Sequence, residues 1–392
     1  MDNFDFCSPT RFIFGKNVEE KVGETVKSFG GSRVLIQYGG GSAVKSGLLD
    51  RVTSSLDAAG VSWVTLGGVR PNPRLSLVRE AIALCRAEKA DMLLAVGGGS
   101  VIDSVKATAL GACYDGDVWD FYEGKTVPEK ILPLGTVLTM AAAGSEGSNS
   151  SVITNEEGNL KRGLGCELTR PLFSLMNPEL TYTVPAYQTA AGAVDILAHV
   201  MERYFTNTPN VELSDRMSEG LMRAVLRNAP IAIAEPDNYA ARAELMWAST
   251  LAHNNLLGVG RETDFASHQI EHELSGLYDV AHGAGLAAIF PSWMRFVYKR
   301  NVPRFVRFAT RVMGVEGDPF DIEGTALAGI TALEKFYLSI GMPITLTQLG
   351  IPGDRLEEMA RKVKKHDPVT GTTGHFVPLT EEDCLAILKA AL

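Results

Sequence analysis

Apolar residues in the first half of the chain come in short blocks that alternate with stretches of helical spacing. RVLIQYGGGS (33–42) and DMLLAVGGGS (91–100) each read as a buried strand running into a glycine turn. VSWVTL (61–66) reads as a third strand. LLDRVTSSLDAAG (48–60) has the spacing of an amphipathic helix closed by Gly60. PRLSLVREAIALCRAEKA (73–90) and VIDSVKATALGA (101–112) read as two more helices. Strand and helix in alternation predict parallel βαβ units.

The pattern changes beyond Pro178. NPELTYTVPAYQ (177–188) carries two prolines and predicts a domain crossing. From there the apolar spacing is mostly helical, as in LSDRMSEGLMRAVLRNAPIAI (213–233) and ARAELMWASTLAHNNLLG (241–258), and strand candidates are few. The expectation is an α/β domain over residues 1–184 and an all-helical domain over 185–392.

Composition narrows the class of partner. Lys+Arg 37 against Asp+Glu 46 leaves a net charge of −9, which argues against nucleic acid. The five cysteines (7, 85, 113, 166 and 384) show no CxxC pairing and suit free thiols in a reducing compartment. MDNFDFCSPT at the start lacks the basic and apolar regions of a signal peptide, and no apolar run reaches membrane-spanning length. These features predict a cytoplasmic protein without membrane partners.

The glycine turns are the first candidates for chemistry. AVGGGSVID (95–103) is a strand, a glycine turn and a helix start, where exposed N–H groups make an anion site. A plain tight βα turn reads equally well, because glycine turns are common, and the pattern is not the GxGxxG fingerprint. In YGGGS (38–42) the strand end carries Gly39, Gly40 and Gly41 and no carboxylate. An acidic residue there would bind a ribose 2′-hydroxyl and repel a 2′-phosphate, so its absence predicts NADP over NAD. PLGTVLTMAAAGSEGSNSS (133–151) reads as a capped loop that could also line a cofactor cleft, with Thr139 and Asn149 as donors.

The second candidate is a set of histidines and an aspartate. Asp195 and His199 lie four residues apart in AVDILAHVMERYF, on one face of a helix. His268 and His272 repeat that spacing, and His282 follows at the start of another helix. One carboxylate and several neutral imidazoles suit a borderline divalent metal and leave it at net +1. HQIEH (268–272) invites a zincin reading, which fails because Gln269 stands where HExxH has its glutamate. His253, His366 and His375 lack such company and read as solvated or structural.

These motifs together resemble the iron-containing (group III) alcohol dehydrogenases, in particular the NADPH-dependent butanol dehydrogenase and aldehyde reductase branch. The resemblance runs from PTRFIFGKN (9–17) through PNP (71–73), GGGSVID (97–103), AAGSE (142–146) and DILAHVMERY (195–204) to HQIEHELSGLYDVAHG (268–283). It implies a Rossmann-like α/β dinucleotide-binding domain, an all-α C-terminal domain and a cleft between them, as in the dehydroquinate synthase-like architecture. It implies that Asp195, His199, His268 and His282 are the metal ligands, and that His272 lies beside the metal as the catalytic candidate. It puts cofactor contacts at Gly39, Gly40, Ser42, Asn72, Gly97, Gly98, Gly99, Ser100, Asp103, Thr139, Asn149 and Lys161. NAD-preferring relatives carry an aspartate where this chain has Gly39. One departure is MAAAGSE (140–146), where many relatives have a threonine ahead of the GSE.

The resemblance implies reversible reduction of aliphatic aldehydes to primary alcohols by NADP(H), with Fe²⁺ as the metal and Zn²⁺ as the alternative. His272 is the candidate proton relay, since an imidazole titrates near working pH. Trp247 and Phe265 read as core residues that could also shape the substrate pocket. A homodimer or larger homo-oligomer is expected. Rivals on the same two-domain plan are an NAD-linked glycerol or diol dehydrogenase and a dehydroquinate synthase-type lyase. A metal hydrolase without nucleotide and a non-catalytic binding protein are further alternatives.

Overall fold

In the computed structural model, which describes residues 1–367 and 369–392, the alternation of the first half becomes one parallel sheet. The strands are β1 (Arg11–Phe14), β2 (Arg33–Gly39), β3 (Ser62–Val69), β4 (Met92–Gly97), β5 (Leu134–Leu138), β6 (Ser150–Asn155), β7 (Leu160–Gly165) and β8 (Phe173–Met176). Six of them form a sheet in the order β1-β8-β5-β4-β2-β3, and β6 and β7 pair separately as an antiparallel hairpin. Helices α1 (Val22–Ser28), α2 (Ser42–Lys45), α3 (Leu48–Ala58), α4 (Leu75–Ala87), α5 (Gly99–Ala112) and α6 (Trp119–Tyr122) accompany them. β4 is buried along its whole length, with Leu93, Leu94, Ala95 and Val96 fully shielded, as expected of a central parallel strand.

Every strand pair in the large sheet is parallel, so the carboxyl ends of its strands share one edge. Tyr38 pairs with Val96, and Gly97 pairs with Leu138. The turns after β2, β4 and β5 therefore open on the same edge. The chain leaves β2 outward to β3, then returns to β4 on β2's other side. That reversal is a topological switch point, the place where open α/β sheets take their ligands.

The remaining helices are α7 (Ala186–Tyr204), α8 (Glu212–Ala234), α9 (Tyr239–His253), α10 (Ala266–Tyr278), α11 (His282–Val297), α12 (Val302–Arg311), α13 (Ile322–Ser339), α14 (Leu356–Lys362) and α15 (Glu381–Ala390). Beyond β8 the described residues hold no further strand, only isolated bridges such as Asp367 to Thr372. The chain divides into two compact units, one of Cys7–Val184 and one of Met1–Phe6 with Pro185–Leu392. The first six residues thus differ from the expected division. Their backbone is held by the helical unit: the Met1 amine donates to the Pro209 carbonyl at 2.8 Å and Asp2 N donates to the Gly260 carbonyl at 2.9 Å.

The segment 133–151 is not the loop expected from its small and hydroxyl residues. It opens with β5, fully buried between β4 and β8, and ends by entering β6. All five cysteines are free thiols. Among the described residues no helix is long and apolar enough to cross a membrane.

Candidate metal centre

Three helices of the second unit supply the polar cluster. α7 carries Asp195 and His199 one turn apart, α10 carries His268 and His272 one turn apart, and α11 begins at His282. From Asp195 Oδ1, the Nε2 atoms of His199, His268 and His282 lie at 3.4, 4.0 and 3.9 Å. Asp195, His199, His268 and His272 are buried, and His282 is half-buried.

The donor chemistry fits a divalent ion. Tetrahedral ligands held at about 2.0–2.1 Å from such an ion lie roughly 3.4 Å apart, and a looser coordination separates them further. The three aspartate-to-histidine separations match that scale. Asp195, His268 and His282 bring one donor atom each within 4.8 Å of one another, and Glu271, His272 and His282 form a second such group beside them.

Each histidine nearest Asp195 has its other ring nitrogen held. Glu202 Oε1 lies 2.9 Å from His268 Nδ1. His282 Nδ1 bonds to Glu271 Oε2, and Ser275 donates to the other Glu271 oxygen. His199 Nδ1 sits 2.8 Å from His253 Nδ1. Burial holds the His199 imidazole well below the ordinary histidine range, with His253 and His268 adding to the effect. A neutral imidazole is the form that ligates a metal. Burial pushes the Glu202 carboxyl up to about 8, against the pull of the N–H groups of His268 and Phe265.

His253 was expected to be solvated or structural and without company; it is buried against His199 instead. It comes from the end of α9, so only the tertiary fold brings it there. His366 and His375 also find company, stacking with ring centroids 5.2 Å apart and planes at 6°. Trp247 is exposed, which removes the core reading for it. Phe265 sits against the cluster, its ring centroid 5.4 Å from that of His268, with the Arg203 guanidinium 4.9 Å from its own centroid. Its φ of 66° is left-handed, an uncommon state for a bulky residue and one held here by its N–H bond to Glu202 Oε2 at 2.8 Å.

The candidate cofactor residues all lie in the first unit. Gly39 ends β2, Gly40 follows, and Ser42 opens α2. Gly97 ends β4, Gly98 caps α5, and Gly99 and Ser100 form its first turn. Thr139 follows β5 and donates its N–H to the Gly97 carbonyl at 3.1 Å, so the turns meet at the shared edge. Asn72 is buried with a left-handed φ of 52°. Asp103 ties the 145–152 segment to α5, accepting from Ser145 Oγ at 2.6 Å and Val152 N at 3.0 Å. Burial pushes its carboxyl up, while Lys106 and the Lys161 of β7 pull it down. The Asn149 amide donates to Glu167 at 2.5 Å.

Two family models match the chain in succession. The model described as "Iron-containing alcohol dehydrogenase" covers residues 9–178, and the one described as "Fe-containing alcohol dehydrogenase family, C-terminal" covers residues 189–392. The chain belongs to the iron-containing alcohol dehydrogenase family.

This dehydrogenase is 44% identical to the probable NADH-dependent butanol dehydrogenase 1 of Bacillus subtilis (strain 168), with all of both chains covered. It is 34% identical to the NADPH-dependent aldehyde reductase YqhD of Escherichia coli (strain K12), over 97% of each chain. Among solved structures, the NADH-dependent butanol dehydrogenase A of Thermotoga maritima superposes with a TM-score of 0.96 at 41% identity, covering 100% of this chain and 99% of the other.

The sequence reading of this alcohol dehydrogenase missed Glu202, Glu271 and His253. Two of the three leave a signal. Glu202 follows Asp195 and His199 at i+7 and i+3, on the same helical stripe, and Glu271 follows His268 at i+3. The glutamate of HQIEH is therefore present, but one position before the second histidine, where it serves a ring nitrogen of His282.

Proposed function

We propose that this protein interconverts aliphatic aldehydes and primary alcohols, using NADP(H) and a divalent ion held by Asp195, His199, His268 and His282. The observation that carries the reading is the convergence of three Nε2 atoms on Asp195 Oδ1 at 3.4 to 4.0 Å. When bound, the ion supplies Lewis acidity toward the substrate oxygen and the nicotinamide supplies or accepts hydride. Fe²⁺ is the ion favoured by the family, and the same donors suit Zn²⁺.

The chain's own residues then have separable tasks. Asp195 contributes one negative charge and the three imidazoles remain neutral, so the loaded site keeps a net positive charge toward an oxygen gaining negative charge. His272 moves the proton: a ring nitrogen gives it to the nascent alcohol oxygen in reduction and takes it back in oxidation. Its ring centroid lies 5.6 Å from that of His282, beside the proposed ligands, which supports that role. The glycine turns after β2 and β4 receive the cofactor phosphates, with the N-terminus of α5 as the anion site.

The test is a panel of aldehydes, butanal included, with metal-stripped protein and with protein reloaded with Fe²⁺ or Zn²⁺. The expected result is NADPH oxidation that depends on the ion. An absence of turnover with every aldehyde after reloading would sink the reading in favour of a lyase or a binding protein. A second reading, NADH as the cofactor, is favoured by the names of the Bacillus and Thermotoga relatives. The NADP(H) reading rests on the missing carboxylate at Gly39, Gly40 and Gly41. A Michaelis constant for NADH well below that for NADPH would decide for the second.

A further inference from the structure

We propose that Glu202, Glu271 and His253 are positioning residues of the metal centre. In this proposal they fix which ring nitrogen of each histidine faces Asp195, and so set the affinity of the site for a divalent cation. This goes beyond the proposed function but rests on its ligand set. His199, His268 and His282 all aim Nε2 at Asp195 Oδ1, and all three have Nδ1 against a partner on the far side. Both Glu202 oxygens accept backbone N–H groups and Glu271 Oε1 accepts from Ser275, so each side chain faces its histidine as an acceptor, which holds the proton on Nδ1 of His268 and His282 and leaves the Nε2 lone pair inward. Between His199 and His253 one Nδ1 must donate. A ligating His199 places its proton on Nδ1, which makes His253 the acceptor.

Glu202 does a second job with the same carboxylate. The N-cap residue of α10, Phe265, makes no side-chain cap, and Glu202 reaches across from α7 instead. Its Oε2 accepts from Phe265 N at 2.8 Å, and its Oε1 accepts from His268 N at 3.1 Å. One side chain thereby fixes the start of α10 and the ring that α10 contributes. Its partner on the other side, Glu271, is packed against α11. A Cβ built on Gly285 would lie 2.6 Å from Glu271 Oε1 and 2.9 Å from its Cγ. Glycine at 285 is therefore what leaves Glu271 room to reach His282.

Gly285→Ala is the discriminating variant. The three atoms nearest the added methyl all belong to Glu271, so the group it displaces is a side chain rather than backbone. Alanine also favours a helix interior over glycine, so loss of fold is not expected. The experiment titrates Zn²⁺ into full-length metal-depleted protein against a chromophoric chelator, with circular dichroism and thermal unfolding run on the same samples. Gly285→Ala, Glu271→Gln and Glu202→Gln should each weaken Zn²⁺ binding by about 10- to 100-fold. Gly285→Ala should stay folded, with a native circular dichroism spectrum and a cooperative melt lowered by no more than a buried overpacking change costs. Folded Gly285→Ala and Glu271→Gln proteins that bind Zn²⁺ within about twofold of the parent overturn the proposal. His268→Ala is the control for the ligand set. Undiminished Zn²⁺ binding there removes the ligand reading and the proposal with it, whereas loss there with full binding in the glutamate variants removes the proposal alone.

Discussion

His272 shares the spacing of a ligand with His268, yet it groups with Glu271 and His282 rather than with Asp195. If it moves the proton, its removal separates two quantities that a ligand's removal would couple. We expect His272→Ala to lower kcat by about 10²- to 10⁴-fold while the metal content of the purified protein is unchanged. Elemental analysis decides it: a variant that comes out metal-free makes His272 a ligand. Gly39 carries a second prediction at this scale. A Cβ there would meet Val69 O at 3.5 Å and Val101 Cγ2 at 3.8 Å, both ordinary contacts, so the first atom of an aspartate side chain in Gly39→Asp meets no clash. Its carboxylate would accept the ribose 2′-hydroxyl of NADH and repel the 2′-phosphate of NADPH. The Michaelis constant for NADPH should rise about tenfold or more, equivalent to about 1.4 kcal/mol, with that for NADH unchanged or lower. Equal effects on both cofactors would mean that position 39 does not face the ribose.

The centre also depends on how closely whole helices approach. At the start of α11 a Cβ on Gly283 would sit 1.9 Å from the Ala191 carbonyl oxygen of α7 and 2.6 Å from its carbon. Backbone cannot swing aside as a side chain can, so Gly283→Ala must push α11 away from α7, and His282 with it. Overpacking of this kind costs about 1–3 kcal/mol. The variant should melt at a lower temperature and bind metal more weakly; a protein unchanged in both would show that the helices absorb the methyl elsewhere. The same contrast between near and far explains what could be read from the chain alone. β2, β3, β4 and the helices between them were legible because their apolar periodicity is local. The Asp195/His199 and His268/His272 pairs were legible because i,i+4 spacing marks one helix face. β5 was hidden because a central strand of Leu134–Leu138 is short and runs straight into a small-residue turn. β8 and the β6–β7 hairpin gave no repeating signal of comparable length. His253 was illegible for a different reason: nothing in the sequence around it shows that the end of α9 meets the Asp195 face of α7.

At the scale of the molecule, the two sets of candidate residues fall in different compact units. Asp195, His199, His268 and His282 and their three partners all belong to the Pro185–Leu392 part. The glycine turns at the carboxyl edge of the sheet all belong to Cys7–Val184. Each unit thus builds its proposed site from its own elements, and the two sites should fail independently. Removing the ion by chelation should abolish turnover and lower the thermal stability of the helical unit, because an ion bound only by the native state stabilises it by about 4 kcal/mol when present at a thousand times its Kd. The same treatment should leave the dissociation constant for NADPH, measured by fluorescence titration, within about twofold. The reverse experiment is Gly97→Val in the glycine turn after β4, where a Cβ would already lie 2.4 Å from the Val101 side chain. That variant should lose NADPH binding and keep its metal. If chelation instead abolishes NADPH binding, the ion is part of the nucleotide site and the division fails. If neither treatment affects turnover, the cluster around Asp195 is not where the reaction takes place. Independent loss of the two binding events, with either loss sufficient to stop aldehyde reduction, is the outcome expected of a reaction that needs both the nucleotide and the ion.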